Sequence, residues 1–290
     1  MPDGTILVRR RSLGDVVLLG AITSRVPGPV TVVTEPRFMR LAGRLQGVDR
    51  VVAWGEEVPE GRVIDLEVSL RTLWRFPLAR KVRKHALARR LRLWGYGTGR
   101  PPVVELYARA AQVDPAPAPW IRIPNRGRDT LALVPGGSTT LKAPRAEHLV
   151  ALAHRWPGPV AVLGGPGEEA LVEGLAAQIP GARAVAEQGF ARTLDVLATT
   201  AVVVGGDTGL MHLAAACGRR TVVLAGPTHP DDGFLRWPSS IVVQRELPCR
   251  PCTLHRGRTC RLGDRRCLDL DPAEIWRATE AAGALGAADR

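Results

Sequence analysis

The sequence predicts an α/β protein in two halves, each a parallel sheet flanked by helices. Three observations predict it. Short apolar runs of strand length alternate with segments of helical spacing, as in βα units rather than a sandwich or a bundle. The alternation stops at a proline-rich stretch, 114–124, and then restarts. The length, 290 residues, suits two domains of about 150 each. The expected division is 1–124 and 125–290.

In the first half, residues 6–10 are β-prone, Ser12-Leu13-Gly14-Asp15 breaks the run, and the apolar stretch 16–22 makes a helix. Strands are expected at 30–34, 51–53 and 63–66, with helical spacing at 37–46. Residues 70–94 are long, basic and studded with Leu and Trp, the pattern of an amphipathic helix with a cationic face. The closely spaced prolines of 114–124 resist helix, so that stretch is a linker or an extended edge segment. The second half gives a strand at 131–134, a Gly-rich turn at 135–138 and a helix at 144–154. A strand at 160–163, a turn at 164–167 and a helix at 168–178 follow. The last units are a helix at 193–198, a strand at 201–204, a turn at 205–208, a helix at 210–217, a strand at 221–224 and a terminal helix at 272–282.

Composition narrows the class. With 45% apolar and 23% charged residues the chain can bury ordinary cores. No run approaches the roughly 18 to 20 apolar residues needed to cross a bilayer, and residues 1–11 hold no apolar signal region, so a cytoplasmic protein is expected. The net charge of +12 is uneven: residues 1–128 hold 23 basic and 11 acidic residues, and 129–290 hold 17 of each. The whole excess lies in the first half, which points to an anionic partner there.

Ligands of open α/β sheets bind beyond the carboxyl ends of strands, so each Gly-rich turn is a candidate site. In Val204-Gly205-Gly206-Asp207-Thr208-Gly209-Leu210-Met211-His212, small residues stand between a buried strand and a helix. Free N–H groups there suit a phosphate; alternatively Asp207 or Thr208 merely caps the helix and His212 belongs to the core. Lys142 is the only Lys after residue 84. It could reach a diphosphate at the neighbouring turns, or be a solvated surface side chain. Ser12-Leu13-Gly14-Asp15 fits a capping box, which would explain Asp15 structurally. The rival reading puts the Asp15 carboxylate in a cleft between the halves as a general base.

Residues 6–18, Ile6-Leu7-Val8-Arg9-Arg10-Arg11-Ser12-Leu13-Gly14-Asp15-Val16-Val17-Leu18, resemble the opening of the bacterial heptosyltransferases, glycosyltransferase family 9. Four later segments follow in that family's order: Val134-Pro135-Gly136-Gly137-Ser138 with Lys142; Leu163-Gly164-Gly165-Pro166-Gly167-Glu168; Gly206-Asp207-Thr208-Gly209-Leu210-Met211-His212; and Ala225-Gly226-Pro227-Thr228. The resemblance implies a GT-B fold, two Rossmann-like domains facing across a cleft. It also implies an inverting, metal-independent transferase that moves a heptose or similar sugar from a nucleotide-diphosphate donor, ADP-heptose by family, to an anionic lipopolysaccharide-core acceptor. Carried over by position, Asp15 is the general base. Gly136, Ser138, Lys142, Glu168 (or its neighbour Glu169), Asp207, Thr208, Gly209, Leu210 and His212 serve the donor. Ser12, Gly14, Lys81, Arg83, Lys84 and Arg89 serve the acceptor.

From 71 to 100 there are ten basic residues and no acid, with Trp74, Phe76, Leu87, Leu91 and Trp94 between them. In the family reading this face meets the phosphorylated core or the anionic inner face of the cytoplasmic membrane. A nucleic-acid-binding protein is the competing reading, and a nucleotide-sugar epimerase of the same fold is another. Cys249, Cys252, Cys260 and Cys267 form C-x2-C-x7-C-x6-C, while Cys217 stands alone in an apolar helix. The four suit a structural Zn or Fe, with disulfides and free thiols as alternatives, and no cofactor is expected for catalysis.

Overall fold

A computed structural model of the chain describes residues 4–81, 102–186, 189–228, 237–252 and 259–288. The described residues form two parallel sheets. The first contains β1 (Thr5–Val8), β2 (Val30–Thr34), β3 (Arg50–Ala53), β4 (Arg62–Asp65) and β5 (Arg80–Lys81), in the order β3-β2-β1-β4-β5. The second contains β6 (Thr130–Val134), β7 (Val160–Leu163), β8 (Arg183–Val185), β9 (Thr200–Gly205), β10 (Arg220–Ala225) and β11 (Ser240–Gln244), in the order β11-β10-β9-β6-β7-β8. In each sheet the order reverses beside its first strand, at β1/β4 and at β6/β9. Doubly wound sheets open a crevice at the carboxyl ends of those strands. β1, β6 and β9 are buried along their whole length, as strands covered on both faces must be.

The helices are shorter and more broken than the sequence predicts. The stretch 16–22 is two turns, α1 (Leu13–Val17) and α2 (Gly20–Thr23), and at Gly20 an added Cβ would stand 2.6 Å from Trp120. The helix expected at 37–46 is a 3-10 turn, Pro36–Phe38, continued by α3 (Met39–Ala42). Within 70–94, α4 (Leu70–Arg75) ends before Pro77, which has no N–H to donate and excludes helix from the residue before it. The chain then pairs with β4 as β5, Ile64 opposite Arg80 and Asp65 opposite Lys81. The rest of the expected basic helix, 82–94, lies outside the described residues.

The elements missing from the sequence reading are β5, α5 (Val103–Ala111), β8 and β11. In the second half come α6 (Ala146–Arg155), α7 (Glu169–Ala176), α8 (Gly189–Thr199), α9 (Gly209–Ala216) and the terminal α10 (Pro272–Ala288). One core cluster joins both halves, taking Leu7, Val16, Ile64 and Leu106 from the first and Val134, Met211, Leu213 and Val223 from the second. The proline-rich stretch is extended and partly buried within this cluster. Trp120 and Ile121 both donate backbone N–H to Ala216 O, at 2.8 and 3.0 Å.

Beside the crevice Arg10 is 1% exposed, its Nε and Nη2 donating to Glu67 Oε1 at 3.2 and 3.0 Å and its backbone N–H to Oε2 at 2.9 Å. Burial alone would raise the Glu67 carboxyl, but the bonds from Arg10 outweigh it and hold the group below its ordinary value of 4.5. A depressed carboxyl stabilises the fold above its unfolded value, and that stability is lost as pH falls through the folded one. Arg10→Met would strip the guanidinium from buried Glu67, leaving it the backbone N–H of residue 10, Arg11 at 3.6 Å and the charge of Arg9. Breaking a buried pair costs about 3–5 kcal/mol. Calorimetry should show a lower Tm for the variant at pH 7, with the gap to the wild type narrowing as the pH falls and protonation removes the buried Glu67 charge.

Candidate active site

The turn after β9 builds an anion cradle from backbone. Thr208, extended at φ −134°, stands at the start of α9 and makes no side-chain cap bond. The first N–H groups of α9 therefore have no partner in their own helix and carry the positive end of its dipole. Gly206 and Gly209 are there because neighbours leave no room for a Cβ. At 206 it would strike the carbonyl of Lys142, and at 209 it would lie 2.7 Å from the Leu13 side chain of the first half. The cradle and the segment carrying Asp15 are thus packed directly together.

Lys142 is 6% exposed, so it is no solvated surface side chain. Its Nζ donates to Asp207 Oδ2 at 2.8 Å, and Thr228 Oγ1 donates to the same oxygen at 2.8 Å. Among the described residues Asp207 Oδ1 and Thr208 Oγ1 are buried without a hydrogen-bond partner. An ammonium has three donors, so Lys142 retains two for a ligand.

Glu168 and Glu169 separate in role. Glu169 accepts the Gly167 N–H at 2.7 Å, away from the cleft, while Glu168 accepts the Gly165 N–H at 2.8 Å and lines the cleft. The Glu168 carboxylate lies against Gly136, where any Cβ would collide with it.

The capping box at Ser12 does not form. Ser12 has φ 74°, a left-handed value rare outside glycine, and its side chain makes no cap bond. Asp15 turns instead toward Arg9, with Arg9 Nη2 donating to Asp15 Oδ2. Arg9 is held in turn by the Leu66 carbonyl at 3.3 Å. The left-handed Ser12 still starts α1, its carbonyl accepting the Val16 N–H at 3.0 Å.

Ser12, Gly14, Asp15, Gly136, Ser138, Lys142, Glu168, Asp207, Thr208, Gly209 and Leu210 all line one cavity of about 490 Å³ between the two sheets. A smaller apolar cavity of about 360 Å³ adjoins it, sharing Leu13, Gly165, Pro166 and Leu210 and walled by Phe38, Val185 and Phe190.

His212 and Lys81 are not brought to the cleft. His212 is 1% exposed and accepts the Trp237 Nε1–H at its Nδ1 at 3.2 Å. Burial, and then the charge of Lys142, hold its imidazole well below the ordinary value, hence neutral. Lys81 sits on the edge strand with its ammonium on the carbonyls of Pro77 and Ala79, at 2.8 and 3.2 Å. Arg83, Lys84 and Arg89 lie outside the described residues. Arg37, unforeseen from the sequence, does line the cleft.

The five cysteines are free thiols, so the disulfide alternative is not realised. Among the described residues no three His, Cys, Asp or Glu side chains stand in metal-holding geometry. The clustered thiols are nonetheless neighbours. Burial raises Cys252 and Cys267, and each is raised further by the other clustered cysteines. Cys260 is lowered by backbone N–H groups of Arg265 and Leu262.

The sequence profile of glycosyltransferase family 9 (heptosyltransferase) matches residues 81–263, more than half of the chain. The chain belongs to glycosyltransferase family 9. Lipopolysaccharide heptosyltransferase 1 of Pseudomonas aeruginosa is 35% identical to this family 9 protein over 100 residues, 33% of the chain and 27% of the relative. The matched segment thus spans about a quarter of that relative. E. coli ADP-heptose lps heptosyltransferase II superposes with a TM-score of 0.73 at 18% identity, over 98% of this chain and 99% of that one. The dodecameric iron-containing heptosyltransferase TibC, solved in complex with ADP-D-beta-D-heptose, superposes with a TM-score of 0.65 at 10% identity, over 99% and 78%. At such identities the likeness establishes the fold, the GT-B arrangement, and nothing finer. The family 9 chain has no described helix long and apolar enough to cross a membrane.

Proposed function

We propose that the chain transfers a heptose or similar sugar, with inversion, from a nucleotide-diphosphate donor to an anionic glycolipid acceptor of the lipopolysaccharide-core type. The observation that carries this reading is the cleft itself. A carboxylate on the first half, Asp15, faces a buried Lys142 and the open N-terminus of α9 on the second. ADP-heptose is the donor this reading favours, since both superposed relatives are described with it.

The donor diphosphate rests on the N–H groups of Thr208, Gly209 and Leu210, with Lys142 beside it. Glu168, held by the Gly165 N–H, accepts from the ribose hydroxyls, and the nucleobase enters the adjoining apolar cavity. Asp15 takes the proton of the acceptor hydroxyl. The freed oxygen attacks the anomeric carbon from the face opposite the diphosphate, and the bond from that carbon to the phosphate oxygen breaks with its electron pair. The departing nucleoside diphosphate carries the new negative charge. A helix N-terminus and one buried ammonium stabilise such charge without a metal ion. Arg9 fixes one Asp15 oxygen, and the carboxylate stays 25% exposed to the acceptor. A thermal-shift titration tests the donor half: a nucleotide sugar at about 100 times its Kd stabilises by about 2.7 kcal/mol. No shift with any nucleotide sugar would contradict the reading.

None of the four clustered cysteines lines the cleft, although Cys252 donates its backbone N–H to Pro227 O beside Thr228, and we assign the cluster a structural role. Four thiols are the donor set of a tetrahedral Zn or Fe site, and the N–H groups around Cys260 suit a thiolate. The family likeness to an iron-containing TibC supports the same reading. Elemental analysis of the purified protein should find one Zn or Fe per chain. Cys249→Ser with Cys252→Ser should lose it and lower the Tm. Metal-free protein with an unchanged Tm in the double variant would contradict the assignment.

A further inference from the structure

Three of the large apolar side chains exposed among the described residues fall within nine positions. Leu70 is 79% exposed, Trp74 87% and Leu78 98%. They follow one another at intervals of four, the first two on a single face of α4. Their presentation is built, not accidental. Ser69 and Thr72 form a reciprocal capping box that fixes the start of α4, and Thr72 is fully buried beneath it. Arg75 stacks on the Trp54 ring at 4.9 Å, and Arg10 stacks on the same ring at 4.4 Å. The Lys81 ammonium ties the carbonyls of Pro77 and Ala79, holding the turn that bears Leu78. Around the three lie Arg71, Arg75, Arg80 and Lys81, and the sequence has no acid between Glu67 and Glu105.

The patch also has a place. α4 starts five residues beyond the last residue of β4, so it stands on the carboxyl-end rim of the first sheet, the rim on which the cleft opens. Its chemistry selects among anionic partners. Basic residues would serve a phosphate of any kind, but bare leucines gain nothing from a nucleic-acid backbone and gain directly from an acyl boundary. A Trp between arginines is the side chain favoured at a headgroup interface.

We propose that Leu70, Trp74 and Leu78 form a membrane wedge that, with Arg71 and Arg80, seats the rim of the cleft on an anionic lipid surface and so presents a lipid-anchored acceptor to Asp15. This rests on the glycolipid-transferase reading, and its test is chosen to fail separately from it. Co-sedimentation with vesicles of phosphatidylglycerol and phosphatidylethanolamine should show binding that pure phosphatidylcholine does not support. The triple variant Leu70→Ser, Trp74→Ser, Leu78→Ser should lower that affinity roughly tenfold or more, and Arg71→Gln with Arg80→Gln about fivefold per residue at low salt. With acceptor embedded in vesicles the triple variant should lose transfer through a raised KM, while with a water-soluble acceptor freed of acyl chains it should match the wild type. Equal vesicle binding by wild type and triple variant would overturn the wedge, as would self-association of the wild type that the triple variant abolishes. So would a Tm several degrees lower in the variant without lipid, which would mean that the three side chains are covered. Loss of transfer to the soluble acceptor by the wild type itself would instead strike the transferase reading.

Discussion

Asp15→Asn should leave a folded, donor-binding protein that transfers about 10²–10⁴-fold more slowly. Asparagine keeps the size of the side chain and an oxygen for Arg9 Nη2, so the partly buried guanidinium, 12% exposed, keeps a partner. What it loses is the capacity to take the acceptor proton. The loss should fall on kcat, with donor Kd within a factor of about two, because the contacts proposed for the donor lie on the second half. Circular dichroism and donor titration beside the rate assay separate this outcome from misfolding. A purely structural Asp15 predicts the reverse, a lowered Tm with transfer largely retained. The unformed cap at Ser12 already removes the main structural reason for the residue.

Lys142→Ala carries the second large effect, and it acts twice. It strips the cation from Asp207, which is 5% exposed, leaving a buried carboxylate with Thr228 as its remaining bonded partner. That costs about 3–5 kcal/mol of stability. It also removes an ammonium from the diphosphate, worth about 10- to 100-fold in donor affinity if one charge-assisted bond of about 1.5–3 kcal/mol is lost. The double variant Lys142→Met with Asp207→Asn tells the two apart. It removes both charges, so much of the lost Tm should return while donor affinity stays low. Wild-type donor affinity in the double variant would remove Lys142 from the donor site and leave the pair a structural one.

The repeat of strand, turn and helix was legible because each strand is a short apolar run and each turn after β6, β7 and β9 is marked by glycine. Legibility failed where a local signal competed with a tertiary one. Ser12-Leu13-Gly14-Asp15 has the letters of a capping box, yet a left-handed Ser12 aims Asp15 at Arg9. The basic run from 70 looked helical, although Pro77 was there to end α4, and pairing with β4 then makes residues 80–81 a strand. β8, of three residues, is too short to leave a pattern.

In the site, glycines and Lys142 could be found because motif and spacing point to phosphate. Their pairing could not. Lys142 meets Asp207 across 65 residues of chain and Thr228 meets Asp207 across 21, in one buried cluster, and no local pattern records that. His212 shows the opposite failure: it lies within the most specific motif, but the helix turns it inward to Trp237.

The central claim is that the cleft couples a nucleotide-diphosphate sugar to an acceptor hydroxyl through Asp15. Its most direct test is the release of nucleoside diphosphate from ADP-heptose, followed with and without a lipopolysaccharide-core acceptor. The account predicts release only when the acceptor is present, one nucleoside diphosphate per glycoside formed, and almost none with Asp15→Asn. Turnover of the nucleotide sugar without acceptor, or undiminished release by Asp15→Asn, would contradict it.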